Sequence, residues 1–330
     1  LKTIDHIKND PFNMDSVKVF LEHLIDYAGL FPPSSLPLKD AISNYVKYIR
    51  SHDSWILGLF VIPSTLLDEL ERYMDLFDEQ FPLALSVLGR KEDDMKKCIE
   101  NLTRDLNHIS CFQKRHGNKV KICAFELPLP PQVPILDDLK RISTLASNNN
   151  LKIFCEFTVP LNSKEWNKSL SESLDNVAEH NMHNQSIGMK LRTGGVTAEM
   201  FPTPEQVAAF IIGCRDRKIP LKFTAGLHHP IRMYRNEVKT KMHGFLNVFF
   251  ASILAHSCNL NRETLINILS DEQHRNFFFD RNGLGWKEYR ATTNEVRILR
   301  NSFLHSYGCC SFDEPRNELR ELNIFEEGVC

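Results

Sequence analysis

The sequence predicts an α/β chain whose eight parallel strands close into a single (β/α)8 TIM barrel, with an extra N-terminal helix and a C-terminal helical tail. Three observations predict it. Apolar runs of strand length recur eight times along the 330 residues. Segments of helical period lie between them, and that alternation is the pattern of parallel strands joined by helices. An open, doubly wound sheet is the alternative, but it ordinarily carries a glycine-rich phosphate loop after its first strand, and no G-x-G-x-x-G or G-x-x-x-x-G-K-[ST] occurs here. Eight is the number that closes a barrel.

The first four runs are LIDYAGLF (24–31), WILGLFVIP (55–63), FPLALSVLG (81–89) and VKICAFELP (120–128). They continue with LKIFCEFTVP (151–160), IGMKLRTGG (187–195), LKFTAGLHH (221–229) and NFFFDRNG (276–283). Helical segments between them include EDDMKKCIENLTRDLNHI, PILDDLKRISTLASNNN and TPEQVAAFIIGCRDRK. Thr203-Pro204 with Glu205 opens the last of these, and Pro134 with Asp137-Asp138 opens the one before it. MDSVKVFLEHL (14–24) reads as the extra helix, plugging the lower end of the barrel. The seventh unit is the longest, with helices in HGFLNVFFASILAHS and RETLINILSDEQ. NEVRILRNSFLHSYG and SFDEPRNELRELNIF then supply the eighth helix and the tail, with Ser311 or Asp313 as a helix cap before Pro315. Beyond Asn148–Asn150 no low-complexity tract or linker interrupts the pattern. Residues 1–330 therefore read as one domain, with 1–23 as N-terminal extension and helix and 308–330 as C-terminal tail.

Composition narrows the function. The chain is 42% hydrophobic and 25% charged, ordinary for a globular protein with a sizeable core. Forty basic against forty-two acidic side chains give a net charge of −2, so nucleic acid and anionic membranes are not expected partners. The longest apolar runs, such as FLNVFFASILA (245–255), are too short to span a bilayer. Nine cysteines without C-x-x-C spacing, mostly inside apolar runs, suit free thiols in a reducing cytoplasm, the adjacent Cys309 and Cys310 included. The FLNVFF stretch packs either on the barrel or on a partner subunit, which leaves a homo-oligomer open.

Side-chain parity sorts the polar residues of the strands. Outward positions pack under helices, so polar side chains point inward or toward the C-terminal mouth, where barrels carry their sites. In the sixth strand Met189 and Leu191 share one face, Lys190 and Arg192 the other. In the seventh, Leu221 and Phe223 go outward, Lys222 and Thr224 inward. In the fifth, Ile153, Cys155 and Phe157 go outward, Glu156 and Thr158 inward; in the fourth, Cys123 and Phe125 go outward and Glu126 inward. The result is one cavity holding two carboxylates, two lysines and an arginine. Burying so many charges is costly, which argues for a ligand.

Two neighbouring lysines permit amine catalysis. One, deprotonated, attacks a carbonyl to form a Schiff base while the other, charged, favours the neutral form of its partner. Glu126 or Glu156 shuttles the proton, with water or His228 assisting. The pair KLRTGG and KFTAGL resembles the strand-six K-T-S-T-G and strand-seven K-x-A-G-G motifs of deoxyribose-phosphate aldolase-type class I aldolases. That resemblance implies a Schiff base on Lys190 with Lys222 as its cationic partner. It departs from the pattern in Arg192, in the LHHP that follows, and in a glutamate where those enzymes have aspartate. Over nearly its whole length, through YAGLFPP, KLRTGG, KFTAGLHHP, HGFLN and SFDEP, the chain is similar to a bacterial protein family of unknown function, which implies no activity.

Other chemistries compete. His228 and His229 at the mouth of strand seven, with His243, Glu126, Glu156 and Asp280, offer ligands for Zn or Mn and a metal-dependent hydrolase or isomerase. Adjacent histidines point opposite ways on an extended backbone, so at most one of the first two is a ligand. Thr193, Gly194 and Gly195 after strand six and Gly226 after strand seven leave backbone N–H groups beside Arg192 and Thr224, a nest for phosphate or carboxylate. The same charges would also serve a non-catalytic binder of such an anion. Cys310 is a weak candidate nucleophile because its neighbours Asp313 and Glu314 oppose a thiolate. The expectation is a cytoplasmic, aldolase-like lyase for a small anionic sugar or keto acid, needing no cofactor.

Overall fold

The structure, a computed structural model, describes residues 14–325. The segments 1–13 and 326–330, parts of the expected extension and tail, lie outside the described residues. Eight parallel strands form a closed barrel: β1 (Ile25–Tyr27), β2 (Leu57–Pro63), β3 (Leu83–Leu88), β4 (Val120–Pro128), β5 (Lys152–Glu156), β6 (Ile187–Arg192), β7 (Leu221–Thr224) and β8 (Leu304–Cys309). They neighbour one another in chain order, and β8 closes the ring between β7 and β1. The (β/α)8 expectation is met.

Each outward face is apolar because a helix covers it. Ile153, Cys155, Met189, Leu191, Leu221 and Phe223 are all buried under the helical layer. The helix Met95–His116 presents Cys98, Leu102, Leu106, Ile109 and Phe112 at helical spacing to the barrel, and Asp94 caps it by accepting the Lys97 N–H at 2.9 Å. Thr203 and Gln206 form a reciprocal capping box on the helix Pro204–Asp216. Phe245 and Phe249 pack on Tyr307, and Phe249 also on Phe223, so the FLNVFF helix (Phe245–Ser257) covers its own barrel.

Three expectations change. The eighth strand is Leu304–Cys309, not NFFFDRNG, whose residues 277–280 pair antiparallel with Gly283–Trp286 in a three-stranded sheet. The Asp280 carboxylate closes that turn, accepting the N–H groups of Asn282 (2.8 Å) and Gly283 (3.1 Å). The helix Thr293–Ser302 precedes β8, and the segment expected as tail supplies the eighth helix, Asp313–Glu321. Second, a bulge where β3 and β4 pair shifts the register between Ile122 and Ala124. It turns Cys123 out of the outward row and into a cavity below the barrel, although Phe125 and Glu126 keep their expected faces. Third, the N-terminal helix Met14–Leu21 packs on Thr293–Ser302 and the three-stranded sheet instead of filling the lower mouth. A cavity of about 610 Å³ remains there, bordered by Val19, Asp26, Tyr45, Cys123 and His305.

Three histidines are held as neutral rings, His243 fully buried and His256 and His305 partly so. Burial, reinforced by nearby cations, pushes His243 and His256 down to about 4 and His305 down to about 3. These folded-state values lie below the unfolded one, near 6.5. The stability they contribute is present above pH ~6.5 and is lost as pH falls, because the unfolded chain takes up protons that the folded one refuses. Urea midpoints measured from pH 6.5 to pH 4 should decline steadily. A midpoint that holds constant or rises over that range would contradict this account.

Candidate active site

Alternation on β6 and β7 places the two lysines side by side, Lys190 paired in register with Lys222 and Glu156 with Lys190. The carboxylate of Glu126 bridges their Nζ atoms. Lys190 donates to its Oε2 at 2.6 Å, and Lys222 Nζ lies 2.9 Å from its Oε1, which also accepts from Ser86 Oγ at 2.7 Å. On the far side of Lys222 stands Asp26 of β1, which pairs with it and accepts from Ser306 Oγ (2.7 Å) and the Leu59 N–H (2.8 Å). On the far side of Lys190 stands Glu156, whose Oε2 is 2.7 Å from Nζ and whose Oε1 is 3.2 Å from Arg192. Charges thus alternate in one chain: Asp26, Lys222, Glu126, Lys190, Glu156, Arg192. All but Arg192 are buried.

Burial alone would raise these carboxyl groups, but the ammonium groups outweigh it. Lys190 and Lys222 hold Glu126 well below the usual carboxylate range, and Lys190 and Arg192 pull Glu156 down as well. Burial likewise pushes Lys222 down, yet Asp26 and Glu126 prevail and keep it well above the usual lysine range. Lys222 is therefore a fixed ammonium. Glu156 differs in one respect: its Oε1 faces Arg192 at the rim, and its Oε2, 2.7 Å from Nζ, has Lys190 as its neighbour.

Access separates the two lysines. A cavity of about 150 Å³ at the C-terminal mouth is lined by Glu126, Lys190, Arg192, Thr224, His228 and Cys310, with Phe31, Leu88 and Met200 as its apolar wall. Lys222, Asp26 and Glu156 are absent from that lining and sit behind it.

The expected anion nest is built differently from the sequence reading. Thr193 is buried, and its hydroxyl donates to Ala225 O at 2.6 Å, clamping the loop after β6 to the loop after β7. Gly194 and Gly226 serve that same closure. Gly226 has φ +73°, and a Cβ there would stand 2.7 Å from Gly194 Cα. Gly195, Thr224 and Arg192 are the members of the set that border the cavity.

The metal set is not assembled. His243 is tied to Pro202 O (2.7 Å) and Arg232 (3.1 Å), Asp280 closes its hairpin, and His229 Nδ1 is bonded to Glu318 at 2.6 Å. Among the described residues His229, Glu314 and Glu318 bring donor atoms within 4.8 Å of one another. There, however, His229 and the Arg235 guanidinium, 3.6 Å away, already partner Glu318. His228 sits in the cavity wall with Nδ1 3.2 Å from Glu314.

The parity reading missed Asp26, Ser86 and Ser306. Asp26 had a signal in the sequence: it is flanked by Ile25 and Tyr27, both buried, in the same apolar–polar–apolar pattern that marks Lys190 and Lys222.

No protein-family model matches the chain, and no curated protein matches it. Solved structures resemble it at low identity. A putative deoxyribose-phosphate aldolase from Toxoplasma gondii ME49 aligns at 9% identity and TM-score 0.46, over 96% of this chain and 98% of that one. Malate synthase from Haloferax volcanii aligns at 12% identity and TM-score 0.41, over 99% and 78%. The catalytic domain of a chitinase from Pyrococcus furiosus aligns at 13% identity and TM-score 0.41, over 81% and 94%. These likenesses concern the fold alone. Among the described residues no helix is long and apolar enough to cross a membrane.

Proposed function

We propose that this chain is an aldolase-like carbon–carbon lyase that acts on a small anionic sugar or keto acid through a Schiff base on Lys190. The observation that carries the reading is the asymmetry of the two lysines: Lys190 opens on the mouth cavity, whereas Lys222 is sealed behind it between Asp26 and Glu126. One amine can meet substrate, and the other stays a charge.

The ammonium of Lys190 must first lose a proton, and Glu156 Oε2 is placed to take it. The free amine adds to the substrate carbonyl carbon, whose π pair moves to oxygen. That oxygen takes protons and leaves as water, giving an iminium ion. The bond two atoms from nitrogen then breaks and its electron pair flows into the iminium, forming an enamine. The departing fragment becomes an aldehyde as its hydroxyl proton passes to Glu126, the carboxylate that borders the cavity. Protonation of the enamine and attack by water release the second product and restore Lys190. Throughout, the Lys222 ammonium keeps Glu126 oriented, and Arg192, half-exposed at the rim, holds an anionic group of the substrate.

An enamine exchanges its carbon-bound protons with solvent. Proton NMR in D2O of pyruvate, dihydroxyacetone phosphate and related carbonyl compounds should show enzyme-dependent loss of the signal next to the carbonyl. If no compound of the panel exchanges faster than in buffer, the reading fails.

A further inference from the structure

The cavity wall carries a second nucleophilic side chain that the lysine chemistry leaves without a role. Cys310, one residue beyond β8, lines the same cavity as Lys190. Cys98, Cys155 and Cys214 are enclosed in the apolar core, where burial pushes their thiols up, that of Cys98 to about 12. Cys310 instead meets a ring brought in from the loop after β7. His228 Nδ1 lies 3.9 Å from Cys310 Sγ, 3.8 Å from Cys309 Sγ and 3.2 Å from Glu314 Oε2. A thiol pair and a carboxylate converge on one ring nitrogen, so that nitrogen carries a proton and the ring is drawn toward the imidazolium. Burial opposes both charges, but the thiols and Glu314 hold His228 above its usual range, and His228 holds Cys310 below its own. Asp313 and Glu314, which in sequence argue against a thiolate here, are answered by a residue from another loop. Both cysteines are buried, but only Cys310 borders the cavity.

We propose that Cys310, positioned by His228 and Glu314, is a second nucleophile of this cavity that adds to the carbonyl carbon of small aldehydes and holds them as thiohemiacetals. In the step a sulfur–carbon bond forms, the carbonyl π pair moves to oxygen, and that oxygen takes the Nδ1 proton of His228. The reverse step returns the proton and frees the aldehyde unchanged, so no oxidant or reductant is consumed. The ligand class is a small aldehyde, the kind of fragment that carbon–carbon cleavage at Lys190 would release. The thiol geometry does not depend on the imine reading.

The test is competitive alkylation of the intact protein with iodoacetamide at pH 7, read by peptide mass spectrometry, with glycolaldehyde as the aldehyde. Cys310 should alkylate at least ~10-fold faster than exposed Cys111, since the thiolate is the reacting form. His228→Asn should remove that advantage, and Glu314→Gln, a change at a half-exposed side chain, should reduce it in a protein that keeps its fold. Glycolaldehyde should slow labelling of Cys310 but not of Cys111, equally in the wild-type protein and in Lys190→Arg. A Cys310 no faster than Cys111, an advantage that survives both variants, or absence of protection by glycolaldehyde overturns the proposal. Protection that vanishes in Lys190→Arg also overturns it, while placing the aldehyde on the lysine. Protection that persists although Lys190 forms no adduct would sink the imine reading and leave this one standing.

Discussion

Replacing Lys222 with Met lowers the unfolding free energy by about 3–5 kcal/mol, the usual cost of stripping one partner from a buried ion pair. Asp26 decides the size of the effect. It is fully buried, and its remaining donors are a serine hydroxyl and one backbone N–H. Neither supplies the positive charge that a buried carboxylate needs. Glu126 suffers less, because Lys190 and Ser86 still hold it. Asp26→Asn in the Lys222→Met background should therefore recover part of the loss, and a double-mutant cycle should show a coupling of at least ~1 kcal/mol. Urea unfolding checks both values. A single-variant loss below ~1 kcal/mol would mean that the pair is not the enclosed anchor described here.

Lys190→Arg abolishes turnover and enzyme-dependent exchange of carbon-bound protons while leaving stability within ~1 kcal/mol of the original. The guanidinium keeps the positive charge between Glu126 and Glu156, so the alternating chain survives, but it has no lone pair to form an imine at any accessible pH. Glu156→Gln is the softer counterpart. It removes the proton acceptor beside Nζ and should slow the reaction by about 10²–10⁴, the range for a lost acid–base group. Activity of Lys190→Arg above a tenth of the original would exclude covalent amine catalysis at that position. A kinetic readout is needed beside urea unfolding, since a purely structural lysine would respond in stability and not in exchange.

The barrel was legible because parallel strands buried on their outer face are written as apolar runs, and seven of the eight fell within the runs so marked. The eighth strand was hidden by its chemistry. In LHSYGC, His305 faces the lower cavity and Ser306 reaches Asp26, so a strand with a polar inner face lacks the apolar run that NFFFDRNG offers. That phenylalanine-rich stretch instead turns back through Arg281-Asn282 and pairs antiparallel with the strand that begins at Gly283.

Within the site, period-two alternation on β4 to β7 placed Glu126, Glu156, Lys190 and Lys222 on one side, and the structure brings all four together. What alternation cannot carry is which charges touch and which open to solvent. Glu126 intervenes between the lysines because its strand lies two removed from β6, a fact of barrel closure and not of local sequence. The partnership of Cys310 with His228 is equally remote, joining residues more than eighty positions apart. Gly194 and Gly226 carry a second constraint that alternation does not show: they lie where the loops after β6 and β7 touch.

On the proposed reading Lys190, and not its neighbour, is the amine that meets a carbonyl. Incubating the protein with pooled small aldehydes and keto acids in the presence of borohydride, followed by peptide mass spectrometry, tests it most directly. A reduced adduct is expected on Lys190 and none on Lys222. An adduct confined to Lys222, or no adduct on Lys190 with any carbonyl compound, would contradict it.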